Sequence, residues 1–110
     1  MIFGVTTLRG AQKSELILGS NTESWGFNPM NGKKSYGKIS SKYMTELDRT
    51  AVQESPQNIW VISMNGISGE LSFKVGSHNL GIAFQRDEFI DQDIYPAISI
   101  YSQGDSVEIV

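Results

Sequence analysis

The run Asn58-Ile59-Trp60-Val61-Ile62-Ser63-Met64-Asn65-Gly66, followed after a short gap by Glu70-Leu71-Ser72-Phe73-Lys74-Val75, decides the fold class. The first segment is rich in β-branched and aromatic residues and ends on Asn-Gly, the strongest short hairpin signal. The second alternates strictly, with Leu71, Phe73 and Val75 on one face and Ser72 and Lys74 on the other. Two such segments around a turn predict an antiparallel hairpin. In the first strand both faces are apolar: Ile59 and Val61 on one, Trp60, Ile62 and Met64 on the other. That pattern suits a central strand buried on both sides between packed sheets, with Glu70–Val75 in a half-solvated outer position.

Working outward, the same period recurs. Leu16-Ile17-Leu18 is an apolar triplet ahead of Gly19-Ser20-Asn21, and Leu80-Gly81-Ile82-Ala83-Phe84 follows the Gly76-Ser77-His78-Asn79 turn. After a polar loop, Tyr95 to Tyr101 and Ser106 to Val110 alternate again. The reading is all-β, a two-layer antiparallel β-sandwich. Its expected core comprises Trp60, Ile62, Leu71 and Phe73 from the hairpin, with Ile82, Phe84, Ile98 and Ile100 from later strands. Only residues 44–52 hint at a helix, because Met44, Leu47 and Ala51 fall at helical spacing. A long surface loop over 44–57 is the preferred expectation there.

The chain has 110 residues, which fits one small domain over residues 1–110. Its 39% apolar and 10% aromatic content is enough to fill a core, which excludes a disordered chain. A net charge of −3 argues against general nucleic-acid binding, since phosphate neutralisation needs excess Lys and Arg. With no cysteine there is no disulfide framework and no thiolate metal site, and His78, the single histidine, rules out a multi-histidine one. No segment approaches the ~20 apolar residues a membrane helix needs. No Asn-x-Ser/Thr acceptor and no signal-type N-terminal segment are present. The economical expectation is an intracellular, cytoplasmic protein without a cofactor.

Serine-type hydrolysis would need a base. His78 sits in a tight turn, there is no Gly-x-Ser-x-Gly elbow, and a solvated turn histidine is the preferred reading. No enzymatic activity is expected. Asp87, Glu88, Asp91 and Asp93 cluster, but without the spacing and central glycine of a calcium loop, so a charged solubilising loop is preferred. Lys33, Lys34, Lys38 and Lys42 fall in a stretch without acidic residues, with Tyr36 and Tyr43 nearby. That pattern resembles a weak nucleic-acid surface. The preferred alternative is a solvent-facing hairpin whose lysines blunt an edge strand. Both Trp60 and Trp25 are assigned to the core.

Six fragments, in order, carry a family resemblance. Phe3-Gly4-Val5-Thr6-Thr7, Ser24-Trp25-Gly26-Phe27 and Gly32-Lys33-Lys34 open the series. Gly69-Glu70-Leu71-Ser72-Phe73, Asn79-Leu80-Gly81-Ile82-Ala83-Phe84 and Ile94-Tyr95-Pro96-Ala97-Ile98-Ser99 complete it. Together the chain resembles the SPRY (B30.2) domain family, a concanavalin-like jelly-roll sandwich. It departs from the family in lacking the strands that usually precede the first fragment. It departs again at 56–63, where the central strand differs. The resemblance implies an intracellular adaptor, a non-catalytic module that binds a protein or peptide partner through loops at one end of the sandwich. The implied partner contacts are Tyr101, Ser102 and Gln103 with the Asn21-Thr22-Glu23 turn. A missing edge strand would favour self-association or pairing with another chain, and the chain could equally be a piece of a longer one. The alternative class is a structural subunit docked into a larger assembly through a sheet edge or the Lys33–Lys42 basic stretch.

Overall fold

The computed structural model describes residues 1–12, 17–54 and 59–100. The chain runs β1 (Ile2–Thr7), α1 (Leu8–Ala11), β2 (Ser24–Asn28), β3 (Lys33–Tyr36), β4 (Ile39–Lys42), α2 (Glu46–Glu54), β5 (Trp60–Asn65), β6 (Glu70–Val75), β7 (His78–Gln85), α3 (Glu88–Asp91) and β8 (Ile94–Ser99). Two antiparallel sheets form, one in the order β4-β3-β2-β1-β8 and one in the order β5-β6-β7. They pack as a β-sandwich, as the alternation predicts.

The layers meet through aromatic rings. Phe27 of β2 lies 5.0 Å from Phe73 of β6 and 5.6 Å from Trp60 of β5, and Phe3 of β1 lies 5.6 Å from Trp60. Phe27, Leu71 and Phe73 are fully buried, with Val5, Trp25, Met44, Ala83 and Phe89 close to it. Rings at these separations in tilted and edge-on geometries add to their area burial, which is why the interface holds without disulfides.

Leu71 and Phe73 occupy the core as expected, and Trp60, Ile62, Phe84 and Ile98 pack partly buried against it. Two expected core residues do not: Ile82 is 54% exposed and Ile100 48% exposed. The pairing of β6 with β7 shifts register twice, between Leu71 and Ser72 and between Ser72 and Lys74. Such bulges break the period of two, so Ala83 turns inward between Ile82 and Phe84. Ile100 lies beyond the end of β8, where no strand holds it.

The hairpin that opened the reading exists, with Trp60↔Val75 to Asn65↔Glu70 in register. Its position is the reverse of the expectation. β5 is an outer strand and β6 the middle one, paired with β5 on one side and β7 on the other, and Val61 on β5 is exposed. The turn also differs from a two-residue Asn-Gly turn. Asn65 Oδ1 accepts from the amides of Ile67 and Ser68, and Gly69, at φ 72°, supplies the left-handed residue.

Residues 46–54 are helical, correcting the expected loop. Thr45 and Asp48 form a reciprocal cap: the Thr45 amide donates to Asp48 Oδ2 at 2.9 Å, and the Asp48 amide to Thr45 Oγ1 at 3.1 Å. The apolar spacing did not choose the buried face, since Leu47 is 74% exposed while Asp48 is buried. Ile17–Ser20 forms turns in place of the expected strand, with Leu18 buried. Leu16, residues 55–58 and the expected strand at 106–110 lie outside the described residues.

Candidate functional site

A cleft of about 640 Å³ opens at one end of the sandwich, where the Thr7 end of β1 meets the Ser24 end of β2 and the Ile94 end of β8. Four segments wall it: Thr7–Arg9, Thr22 and Glu23 with Trp25, Tyr36, and Glu88 with Gln92 and Asp93. Sequence-distant segments converge because β1 lies between β2 and β8, so both neighbours deliver their adjoining turns to the same end.

The Asn21–Glu23 turn is held rigidly. Asn21 Oδ1 accepts from the Glu23 amide at 2.8 Å, the side-chain signature of an Asx turn, and the Asn21 carbonyl accepts from the Gly37 amide at 3.0 Å. The Thr7 amide donates to the Glu23 carbonyl at 3.0 Å, and the Thr7 hydroxyl to Glu23 Oε2 at 2.6 Å. Thr7 Oγ1 also accepts from the Gly10 amide at 3.2 Å, capping α1. A side chain at Gly10 would collide with Thr6 Oγ1 and the Glu23 carbonyl, so glycine permits this close approach. Arg9 reaches Glu23 only at 3.9 Å and is 80% exposed, a contact worth little.

The floor is aromatic. Trp25 and Tyr36 stack with centroids 4.9 Å apart, and Phe89 of α3 meets Trp25 edge-on at 4.8 Å. Arg86 lies 4.7 Å from the Tyr36 ring centroid and binds Glu88 at 2.8 Å. The hydrogen bonds from Arg86 hold the Glu88 carboxyl below the usual carboxylate range, outweighing a smaller upward push from burial. The indole N–H of Trp25 is buried and has no acceptor among the described residues.

Of the residues singled out for partner contact, Thr22 and Glu23 line the cleft, and Asn21 holds their turn. Tyr101, Ser102 and Gln103 lie outside the described residues. Ser99 pairs with Ile2, at the far end of β1 from Thr7. Glu88 and Asp93, read as part of a solubilising run, belong to the cleft wall, and Tyr36 to its floor. Thr7, Leu8 and Arg9 carried no sequence signal, because their role depends on which strands become neighbours.

His78 departs from the solvated turn residue expected of it. It begins β7, and its Nε2 lies 2.7 Å from Asp48 Oδ1, tying α2 to the smaller sheet. Burial pushes the Asp48 carboxyl up, but bonds from the Thr45 amide, His78 and the Thr45 hydroxyl together hold it below its ordinary value. An Asp-His pair orients a catalytic base in some enzymes. Here no hydroxyl of the described residues bonds the imidazole, and the pair stands outside the cleft.

The lysine stretch forms the β3–β4 hairpin. All four β4 residues are exposed, and β4 ends its sheet, as the edge-strand reading expects. Lys34 points inward: its Nζ donates to the Ala83 carbonyl at 2.6 Å and lies 5.3 Å from the Phe84 ring centroid. Tyr43 packs against Phe27 and Phe73, and its hydroxyl donates to the Gly81 carbonyl. Burial pushes that hydroxyl's pKa up to about 12. Trp25 is 1% exposed, the core position expected of it.

A stiff two-sheet scaffold that gathers separate loops around a cleft is the architecture of a β-sandwich binding module. The chain belongs to the SPRY family, whose SPRY domain model matches residues 1–110. SPRY domains are in general protein-interaction modules. A search of curated proteins finds no match to the chain. No helix among the described residues is long and apolar enough to cross a membrane.

Proposed function

We propose that the chain is a single, non-catalytic interaction domain, acting inside the cell as an adaptor, that takes a peptide or protein partner in the Thr7–Glu23–Tyr36–Asp93 cleft. The observation that supports this most directly is the density of hydrogen bonds fixing the Asn21–Glu23 turn to Thr7 and Gly37. A wall ordered before binding loses little conformational entropy on contact, so modest contact area suffices for affinity. Tyr101, Ser102 and Gln103 enter as an outlying contact of the same partner.

A peptide-display selection against the chain, followed by affinity measurement of synthesised binders, tests the reading. Thr22 is exposed on the cleft wall, so Thr22→Arg should block the cleft, weakening binders at least tenfold with an unchanged unfolding midpoint. Binders that ignore Thr22→Arg would place the recognition surface elsewhere.

A further inference from the structure

We propose a second docking surface, independent of the cleft: the open edge of β4, taking an extended, carboxylate-rich segment of a protein partner as an added strand. Among the described residues β4 pairs with β3 on one side and with no strand on the other. Its backbone groups on that side are therefore open to a further strand. The side chains beside it are unusually one-signed. Lys33 and Lys42 stand directly opposite each other in the β3–β4 register. Like charges so placed are destabilising. Arg49 adds a third cation nearby, donating to the Asn31 carbonyl at 2.7 Å, two residues from Lys33. No carboxylate among the described residues forms an ion pair with Lys33, Lys42 or Arg49. On a chain of net charge −3, three cations without a carboxylate partner make a local surplus that an acidic strand would neutralise.

The same geometry argues against a nucleic acid. The two tyrosines that made the stretch resemble a nucleic-acid surface are turned inward, Tyr36 stacked on Trp25 and Tyr43 against Phe27 and Phe73. With both rings turned away, the hairpin lacks the exposed stacking platform on which single-stranded bases sit. What it offers is charge plus a free strand edge, and that pair of features fits a protein segment.

Fluorescence anisotropy with a labelled alternating Glu-Val decapeptide tests this at low salt. Saturable binding is expected, weakening steeply with added salt. Binding should fall at least tenfold for Lys33→Gln/Lys42→Gln, whose thermal midpoint should not drop because a repulsive pair is removed. The same decapeptide with alternate backbone amides methylated should lose affinity, as strand addition requires those N–H groups. Thr22→Arg should leave this binding intact, so failure here and failure of the cleft reading are separable. Absence of saturable binding, indifference to the lysine pair, or full affinity of the methylated peptide would overturn the proposal. So would tighter binding of a thymidine decanucleotide than of the decapeptide.

Discussion

Truncating Phe73 to alanine is the perturbation that tests the architecture most sharply. Phe73 is fully buried in the middle strand of the smaller sheet and meets Phe27 at 5.0 Å and Tyr43 at 6.1 Å. A buried aromatic removes roughly 150–250 Å² from water. At about 25 cal/mol per Å², and allowing for the alanine methyl that remains, the lost transfer free energy is about 3–4 kcal/mol. The neighbours are rings anchored in two sheets, so the vacated space cannot collapse fully, and the loss settles near about 4 kcal/mol. A 110-residue chain loses its fold with an entropy near ~2.1 cal/mol/K per residue, so the midpoint should fall by roughly 17 °C. Against a typical total stability of about 5–15 kcal/mol, that leaves a domain close to unfolding. Ile82→Ala provides the contrast: 54% exposed, it should cost under about 1 kcal/mol. Calorimetric unfolding of both variants decides the matter. A loss under about 1 kcal/mol at Phe73, or a larger loss at Ile82, would refute the placement of the core and of the bulged register.

Two further outcomes follow from the caps and turns. Because Asp48 has its folded carboxyl held below the unfolded value, its contribution is present above that value, ordinarily near 3.8, and is lost as pH falls through the folded one. Melting curves should accordingly drop more steeply on acidification for the wild type than for Asp48→Asn, and parallel acid limbs would count against the Thr45–Asp48–His78 linkage. Lys38 adopts a left-handed φ of 69° beside Gly37 at 58° in the β3–β4 turn, a conformation that costs a residue with a Cβ about 1 kcal/mol. Lys38→Gly should raise the denaturant midpoint by about 0.5–1 kcal/mol equivalent, and a destabilised variant would show that the lysine side chain makes a compensating contact.

Fold class was legible because it rests on local alternation, and alternation survives in Leu71, Phe73 and Val75 as buried residues and in Ser72 and Lys74 as partly solvated ones. What alternation cannot reveal is the lateral order of strands. β5 looked central because Val61 and Ile59 are apolar, yet its outward face is uncovered, and apolar residues on a sheet surface are ordinary. A bulge is equally silent in sequence, which is why Ile82 was placed inside. The helix at 46–54 was readable by a different signal, the Thr45-x-x-Asp48 cap, more reliable here than the weak apolar spacing. The cleft was half legible. The Asn21–Glu23 turn announces itself through its Asx chemistry, whereas Thr7, Tyr36 and Asp93 join it only through the β3-β2-β1-β8 order.

Of the four outer strands among the described residues, β4 and β8 in one sheet and β5 and β7 in the other, β7 and β4 handle the hazard of an open edge in opposite ways. Along β7, the carbonyls of Gly81 and Ala83 accept from the hydroxyl of Tyr43, the residue after β4, and from the ammonium of Lys34 in β3. Those contacts stitch the layers together. Along β4 no such contact is made among the described residues, and Ile39, Ser40, Ser41 and Lys42 are exposed. The protection there is electrostatic, and lysine is effective at it because an incoming strand would strip water from an exposed ammonium without offering it a partner. Such a guard is selective by construction. Like charge raises the free energy of pairing with a basic segment and opposite charge lowers it for an acidic one, so on the proposed docking surface the same lysines would both discourage unwanted pairing and favour an acidic strand.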